Sequence, residues 1–380
     1  MSEYSKIVPI ANDILKNYEL CCHCLGRLFS KQLHLSSNKL LGQKLKKNFQ
    51  SLQKCFICKN LFDNLNYFLK IMIDYTSDYS YRTFGIGITV KPSIIDRDDY
   101  IRSKYKLVGT DSVKTDITKE LCKSFSKKAK KVLDFLDPEI HFLINFKNES
   151  CQLYSKPIIF SGRYVKTIRG ITQKQKSCIN CNGDGCRTCL LHGISEFNSI
   201  EGIISQYIFK KFGGTTTKFT WIGGEDKSSL VLGNGRPFFV KLNHPNKRTS
   251  KLTSIDLDSI KLKNLKIIDK FPQKPILFSS SIEIKISSKS IIDSQYLKTL
   301  KNICNNPVMV YEKSGKRFEK QIFSLSYKKH SLRNFSLFMK VEGGLPIRRF
   351  IESGGVSPNI SDMLNCKCTC EEFDFNDIEV

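Results

Sequence analysis

The chain has 380 residues, of which 40% are hydrophobic and 11% aromatic, enough for two or three globular domains with cores of their own. No apolar run approaches the length of a bilayer-spanning helix. The first residues, MSEYSKIVPIANDILKNYEL, lack the basic start, apolar run and cleavage site of a secretory signal, which leaves a soluble, cytoplasmic protein. Lys and Arg number 61 against 36 Asp and Glu, a net charge of +25; codon bias toward Lys would not also depress the acids, so nucleic acid is the first partner to consider and a membrane is not expected.

Up to about residue 60 the pattern is helical and carries two Cys-x-x-Cys pairs, Cys21 with Cys24 and Cys55 with Cys58. Two intervening residues let a tight turn present both thiolates to one ion, and two such turns complete a closed tetrahedral shell of the kind structural zinc prefers. In an intracellular chain with 15 cysteines, metal is a better reading than disulfides. His23 and Cys22 lie inside the first knuckle and are the weaker ligand candidates; four unrelated buried cysteines are the alternative. From about 63 to 150 the pattern is mixed. FGIGITV (84–90) predicts a strand, residues 117–136 an amphipathic helix with a basic outer face, and IHFLINF (140–146) another strand, which together make a small α/β module. A domain boundary is expected near residue 155.

Cys178, Cys181, Cys186 and Cys189 form a second set in CINCNGDGCRTC, where Gly183 and Gly185 allow the chain to fold back sharply. Zinc is the expectation here too, with a glycine-rich loop of reduced thiols as the alternative. A helix follows, SIEGIISQYIFKKF, capped by Ser199 and stopped by Gly213 and Gly214. KFTWI (218–222) and RPFFVKL (236–242) read as strands on either side of a loop containing GGED. Cys366, Cys368 and Cys370 alternate as in a strand and are expected to pack, while the acidic end, EEFDFNDIEV, is expected on the surface. The His-x-Glu of a zinc deaminase, a dinucleotide fingerprint, a P-loop and a local Ser-His signature are all missing. Chemistry by a single carboxylate, without an organic cofactor, remains.

Four segments in order carry a resemblance: CCHCLGRLF (21–29) with CFIC (55–58), SGRYVKTIRGITQ (161–173), IGGEDKSSLVLGNGRPFFVKL (222–242), and GGLPIRRFIESGGVSPNISDMLN (343–365). The chain resembles the archaeal and eukaryotic family of tRNA pseudouridine synthases acting at uridines 54 and 55 of the TΨC arm. The resemblance implies an α+β protein: a zinc-bound, THUMP-containing tRNA-binding domain over 1–155 and a mixed-sheet pseudouridine synthase core over 156–380. It implies an isomerase whose partner is tRNA, with Asp226 as the catalytic Asp and Arg348 standing where the family has Lys. Breaking a C–N glycosidic bond, turning the base and forming a C–C bond needs one carboxylate to attack the ribose or assist its deprotonation. The sequence departs from the family where Gly224 replaces an Arg, Pro346 replaces a Tyr, and only Phe278 stands in the stretch expected to hold a base-stacking Tyr. For RNA contact the alternation of cationic and aromatic groups singles out Arg163, Tyr164, Lys166 and Arg169. Arg236 either meets phosphate or buttresses the Asp226 loop. The synthase is expected to be a monomer; a tRNA-binding relative without chemistry and a zinc-organised interaction protein are the other readings.

Overall fold

A computed structural model of the chain describes all residues except 1–2, 32, 34–36, 48–53, 109, 251, 253 and 273–274. It divides into two units, Met1–Lys156 and Pro157–Val380. The fold is mixed α and β in both.

The first unit begins with helices α1 (Glu3–Asn17), α2 (Cys22–Ser30), α3 (Asn38–Leu45) and α4 (Leu65–Tyr75). Helix α2 starts where the Cys21 thiol accepts the Cys24 backbone N–H at 3.4 Å, so the knuckle is also the cap. At Gly26 an added Cβ would lie 1.8 Å from the Asn38 carbonyl, and only glycine lets α2 and α3 cross this closely. Strand β1 (Thr83–Thr89) is followed by α5 (Pro92–Lys104), α6 (Val113–Ala129), β2 (Val132–Leu133), β3 (Ile140–Asn145) and β4 (Ser150–Ser155). The sheet order is β2-β1-β3-β4, with β1 parallel to β2 and β3. Phe84, Phe125 and Phe142 pack edge-to-face at 4.8 and 5.1 Å between centroids, fixing α6 on the sheet. The expected helix over 117–136 is corrected at both ends. Ser112 caps it earlier, and Lys130 turns left-handed (φ 54°), after which Val132 and Leu133 pair with β1. A buried ion pair, Arg27 to Asp98 at 2.5 Å, joins α2 to α5, and Asp98 also accepts the Val113 N–H at the start of α6.

The second unit contains β5 (Ile158–Lys166), α7 (Ile200–Phe212), β6 (Thr217–Trp221), β7 (Val231–Leu242), β8 (Ile255–Leu257), β9 (Ile260–Ile268) and β10 (Ser279–Ser288). Then come α8 (Ser294–Thr299), β11 (Val308–Tyr311), β12 (Arg317–Lys320), β13 (Ile322–Lys329) and β14 (Asn334–Glu342). Helix α9 (Ile347–Glu352), β15 (Val356–Ser357), α10 (Ile360–Met363) and β16 (Cys368–Glu379) complete it. One large mixed sheet runs β13-β14-β10-β16-β7-β5-β9-β8, with β6 paired to β7. Helix α7 is capped by Ser199, whose hydroxyl accepts the Gly202 N–H at 3.0 Å, and Phe212 meets Phe160 of β5 edge-to-face at 4.9 Å.

The acidic end is the main departure from expectation. EEFDFNDIEV does not trail over the surface but forms most of β16, between β10 and β7. Phe373, Phe375 and Ile378 enter the core while Asp374 and the other acids face away from it. Charge describes one face of this strand; the period-two alternation of apolar residues governs the other. Cys368 and Cys370 are buried in the same strand and pack, as their alternation predicts.

Candidate active site

Between β6 and β7 the chain turns through Gly223, Gly224, Glu225 and Asp226. Gly223 has φ 75°, and a Cβ there would lie 2.7 Å from both Arg236 Nη1 and the Phe278 ring. The turn thus needs glycine for its backbone and for the two side chains packed on it. Its two acids have opposite environments. Asp226 reaches solvent, with 43% of its side chain exposed, and its Oδ2 accepts from Arg348 Nε at 2.5 Å. Arg348 is held from α9 and also donates to the Cys370 carbonyl at 2.7 Å. The Asp226 hydrogen bond draws the Arg348 pKa upward, so the cation is permanent and faces an ionisable oxygen.

Glu225 points the other way and is fully buried. It accepts from the Tyr164 hydroxyl at 2.9 Å, Arg236 Nε at 3.2 Å and Lys166 Nζ at 3.4 Å. Lys166 also donates to the carbonyls of Ile171 (2.8 Å), Asp226 (3.2 Å) and Lys227 (3.2 Å). Arg236 donates to the Ile222 carbonyl at 2.8 Å, and Gln173 donates to the Tyr164 oxygen and the Gly223 carbonyl. Burial pulls the Lys166 pKa down, with Glu225 opposing it, and burial followed by the Glu225 charge pushes the Tyr164 phenol well up. Behind an exposed carboxylate, then, stands a buried network that fixes the backbone of residues 222–227 from several sides.

The stretch 163–169 therefore does not form an RNA-facing stripe. Tyr164, Lys166 and Arg236 are each 0% exposed. Lys166 lies on the same face of β5 as Phe160 and Tyr164, so the period-two alternation itself turns it inward beneath the loop. The register shift beside it takes up extra residues in β7. Arg236 takes the buttressing role, with its guanidinium 4.3 Å from the Phe375 ring centroid. Arg169 forms a two-point pair with Asp374, both contacts at 2.6 Å, and donates to the Ser228 carbonyl. Arg163 donates to the carbonyls of Asn234 (3.0 Å), Gly235 (2.9 Å) and Ile378. The alternating pattern was real, but what it contacts is protein backbone and carboxylate. Glu225, Gln173 and Asp374 are site residues that the sequence pattern did not single out. The adjacency of Glu225 to Asp226 in the Gly-Gly-Glu-Asp loop was the available signal. Phe278 packs on Gly223 and Gly343, placing an aromatic ring against the turn that carries Asp226.

The cysteines gather into the two expected sets, Cys21, Cys24, Cys55 and Cys58, and Cys178, Cys181, Cys186 and Cys189. Sulfur separations are 3.6 Å for Cys21–Cys58, 3.9 Å for Cys178–Cys186, 3.8 Å for Cys181–Cys189 and 3.7 Å for Cys186–Cys189. A tetrahedral ion with metal–sulfur bonds of about 2.3 Å needs edges of about 3.8 Å, so both sets fit such an ion. In the second set, backbone N–H groups of Gly185, Cys186 and Gly193 point at sulfur, as thiolates require. Donation from the Cys186 backbone, with that of Gly193 adding to it, draws the Cys189 thiol down to about 6.

The family model described as "Pus10, C-terminal" matches residues 159–379, and "Pus10 THUMP domain, archaeal" matches 68–145. A mixed-sheet core of this description with a THUMP region before it defines a pseudouridine synthase, which is an isomerase. The tRNA pseudouridine synthase Pus10 of Nitrosopumilus maritimus is 63% identical over 100% of both chains. That of Cenarchaeum symbiosum is 32% identical, covering 96% of this chain and 91% of its own, and that of Pyrococcus furiosus 27%, covering 97% of each. The chain belongs to the Pus10 family of tRNA pseudouridine synthases.

Proposed function

We propose that the protein converts uridine 54, uridine 55 or both in the TΨC loop of tRNA to pseudouridine, with Asp226 as nucleophile and Arg348 as its cationic partner. The observation that carries this reading is the exposed Asp226 carboxylate, paired with Arg348 at 2.5 Å on a turn pinned from behind by Lys166 and Arg236. Such a carboxylate is oriented and open to substrate, which a turn residue of merely structural purpose would not need to be. Gly224 supports it: among the described residues a Cβ there would meet only Gln173 Oε1, at 3.9 Å, so room remains beside Asp226 for an unstacked base. Arg348 orients the carboxylate by its hydrogen bond, and the buried network fixes the backbone that carries it, so little reorganisation is left for the reaction.

In this reading residues 1–155 hold tRNA and 156–380 perform the chemistry, in the cytoplasm and as a monomer. Zinc in the two four-cysteine sets serves structure, because four thiolates leave no open coordination position. No helix among the described residues is long and apolar enough to cross a membrane. The test is pseudouridine formation on an unmodified tRNA transcript, comparing the protein with Asp226→Asn. Product from the parent alone, with tRNA affinity equal in both, is the expected result. Equal product from both proteins would remove Asp226 from the mechanism; no product from either, with tRNA still bound, would make this a binding relative.

A further inference from the structure

Outside the two cysteine sets, one more group of ligand atoms converges within the first unit. His23 of α2 and Asp116 and Glu120 of α6 bring their ligand atoms within 4.8 Å of one another. Asp116 and Glu120 are four residues apart on one helix and so share a face, as paired metal ligands on a helix do. Asp116 is 1% exposed. Its Oδ1 accepts from Asn38 Nδ2 at 2.6 Å, and Asn38 is held in turn by the Ser30 hydroxyl. Its Oδ2 is buried with no hydrogen-bond partner, and so is Nδ1 of His23. The His23 ring is stacked on Phe62 at 4.2 Å and 7°, which fixes where its nitrogens point. Arg27, the guanidinium in this core, is engaged by Asp98 and by the Asp111 carbonyl.

We propose that His23, Asp116 and Glu120 form a third metal site, of one nitrogen and two carboxylate donors, that binds a first-row divalent ion such as Zn²⁺. An unpaired buried carboxylate oxygen and an unpaired buried imidazole nitrogen are each costly, and a cation satisfies both. Two carboxylates around a divalent ion leave no net charge, which suits a half-buried position. Bonds of about 2.0–2.2 Å would draw the donors to roughly 3–3.5 Å apart, a modest contraction from the present cluster. Asn38 acts as the partner that orients a ligating carboxylate. Because His23 lies between Cys21 and Cys24, this ion would brace α6 directly against the knuckle helix.

The experiment is metal analysis of the full-length protein after equilibration with Zn²⁺ and removal of excess, in parent and Asp116→Asn/Glu120→Gln forms. The expected result is one equivalent fewer in the variant, with eight cysteines remaining protected from thiol reagent in both. Equal metal content in the two proteins would overturn the site. Zinc X-ray absorption on the parent alone gives a reading that does not depend on the variant's folding. A nitrogen and oxygen shell near 2.0–2.1 Å beside the sulfur shell near 2.3 Å supports the proposal, and a shell of sulfur only refutes it.

Discussion

Replacing Lys166 by Met tests whether the turn that carries Asp226 is held from inside. The change removes a fully buried ammonium that donates to Glu225 and to the carbonyls of Ile171, Asp226 and Lys227. The Asp226 carbonyl keeps the Ser229 N–H, and the Lys227 carbonyl keeps that of Gly170. Glu225 keeps Arg236 and Tyr164. Breaking a buried pair costs about 3–5 kcal/mol, and the retained partners put this case near the lower end, about 3 kcal/mol. For a unit of this size that lowers Tm by roughly 6–12 °C. A shift of about 1 Å in a reacting group can cost on the order of 100-fold, so single-turnover pseudouridine formation should fall by roughly that factor at a temperature where the variant is folded. Affinity for tRNA should hardly change, and neither should its salt dependence, because Lys166 meets no solvent. Adding Glu225→Gln should lower Tm further, because it leaves Arg236 as a buried cation without its carboxylate. A Tm within about 2 °C of the parent, together with a salt slope reduced by about one phosphate contact, would refute the reasoning and return Lys166 to the RNA surface.

Arg348→Met should lower turnover by roughly 10²–10³-fold with tRNA binding nearly intact, since the lost hydrogen bond acts on the Asp226 carboxylate; equal turnover would remove Arg348 from the site. Cys58→Ser and Cys186→Ser should each release one equivalent of metal, measured on the purified protein, and each should lower the melting temperature of its own unit. Unchanged metal content would show that the sets are not metal sites. Burial raises the pKa of Glu201 above its usual range, so between the unfolded value of about 4.3 and the raised folded one the native state binds the extra proton. Ionising Glu201 therefore destabilises the fold as pH rises through that window. Glu201→Gln should melt higher than the parent at pH 7, with the difference vanishing below about pH 4; a constant difference across pH would contradict the assignment.

Local spacing and short-range pattern were enough for several features. Two residues between cysteines dictate a knuckle, because thiolates at that spacing reach one point; both sets of four assemble as the spacing requires. Ser199 and Gly213 bound α7 because capping is satisfied within three or four residues. The order of four segments, the knuckles at 21–29 and 55–58 followed by 161–173, 222–242 and 343–365, was sufficient to recognise the family. The pairing of Asp226 with Arg348, by contrast, joins residues 122 apart and exists only once α9 lies beside the β6–β7 turn. Glu225 and Asp226 are neighbours with the same charge and similar propensity; tertiary packing alone sends one into a cage of Lys166, Arg236 and Tyr164 and leaves the other in water. Lys166 shares the buried face of β5 with Phe160 and Tyr164, the reverse of its expected exposure, and β16 entered the centre of the sheet despite its acids. A side chain's chemistry is written in its identity, but whether it meets solvent, ligand or another charge depends on distant chain segments, and the free energy of burying it is set by them.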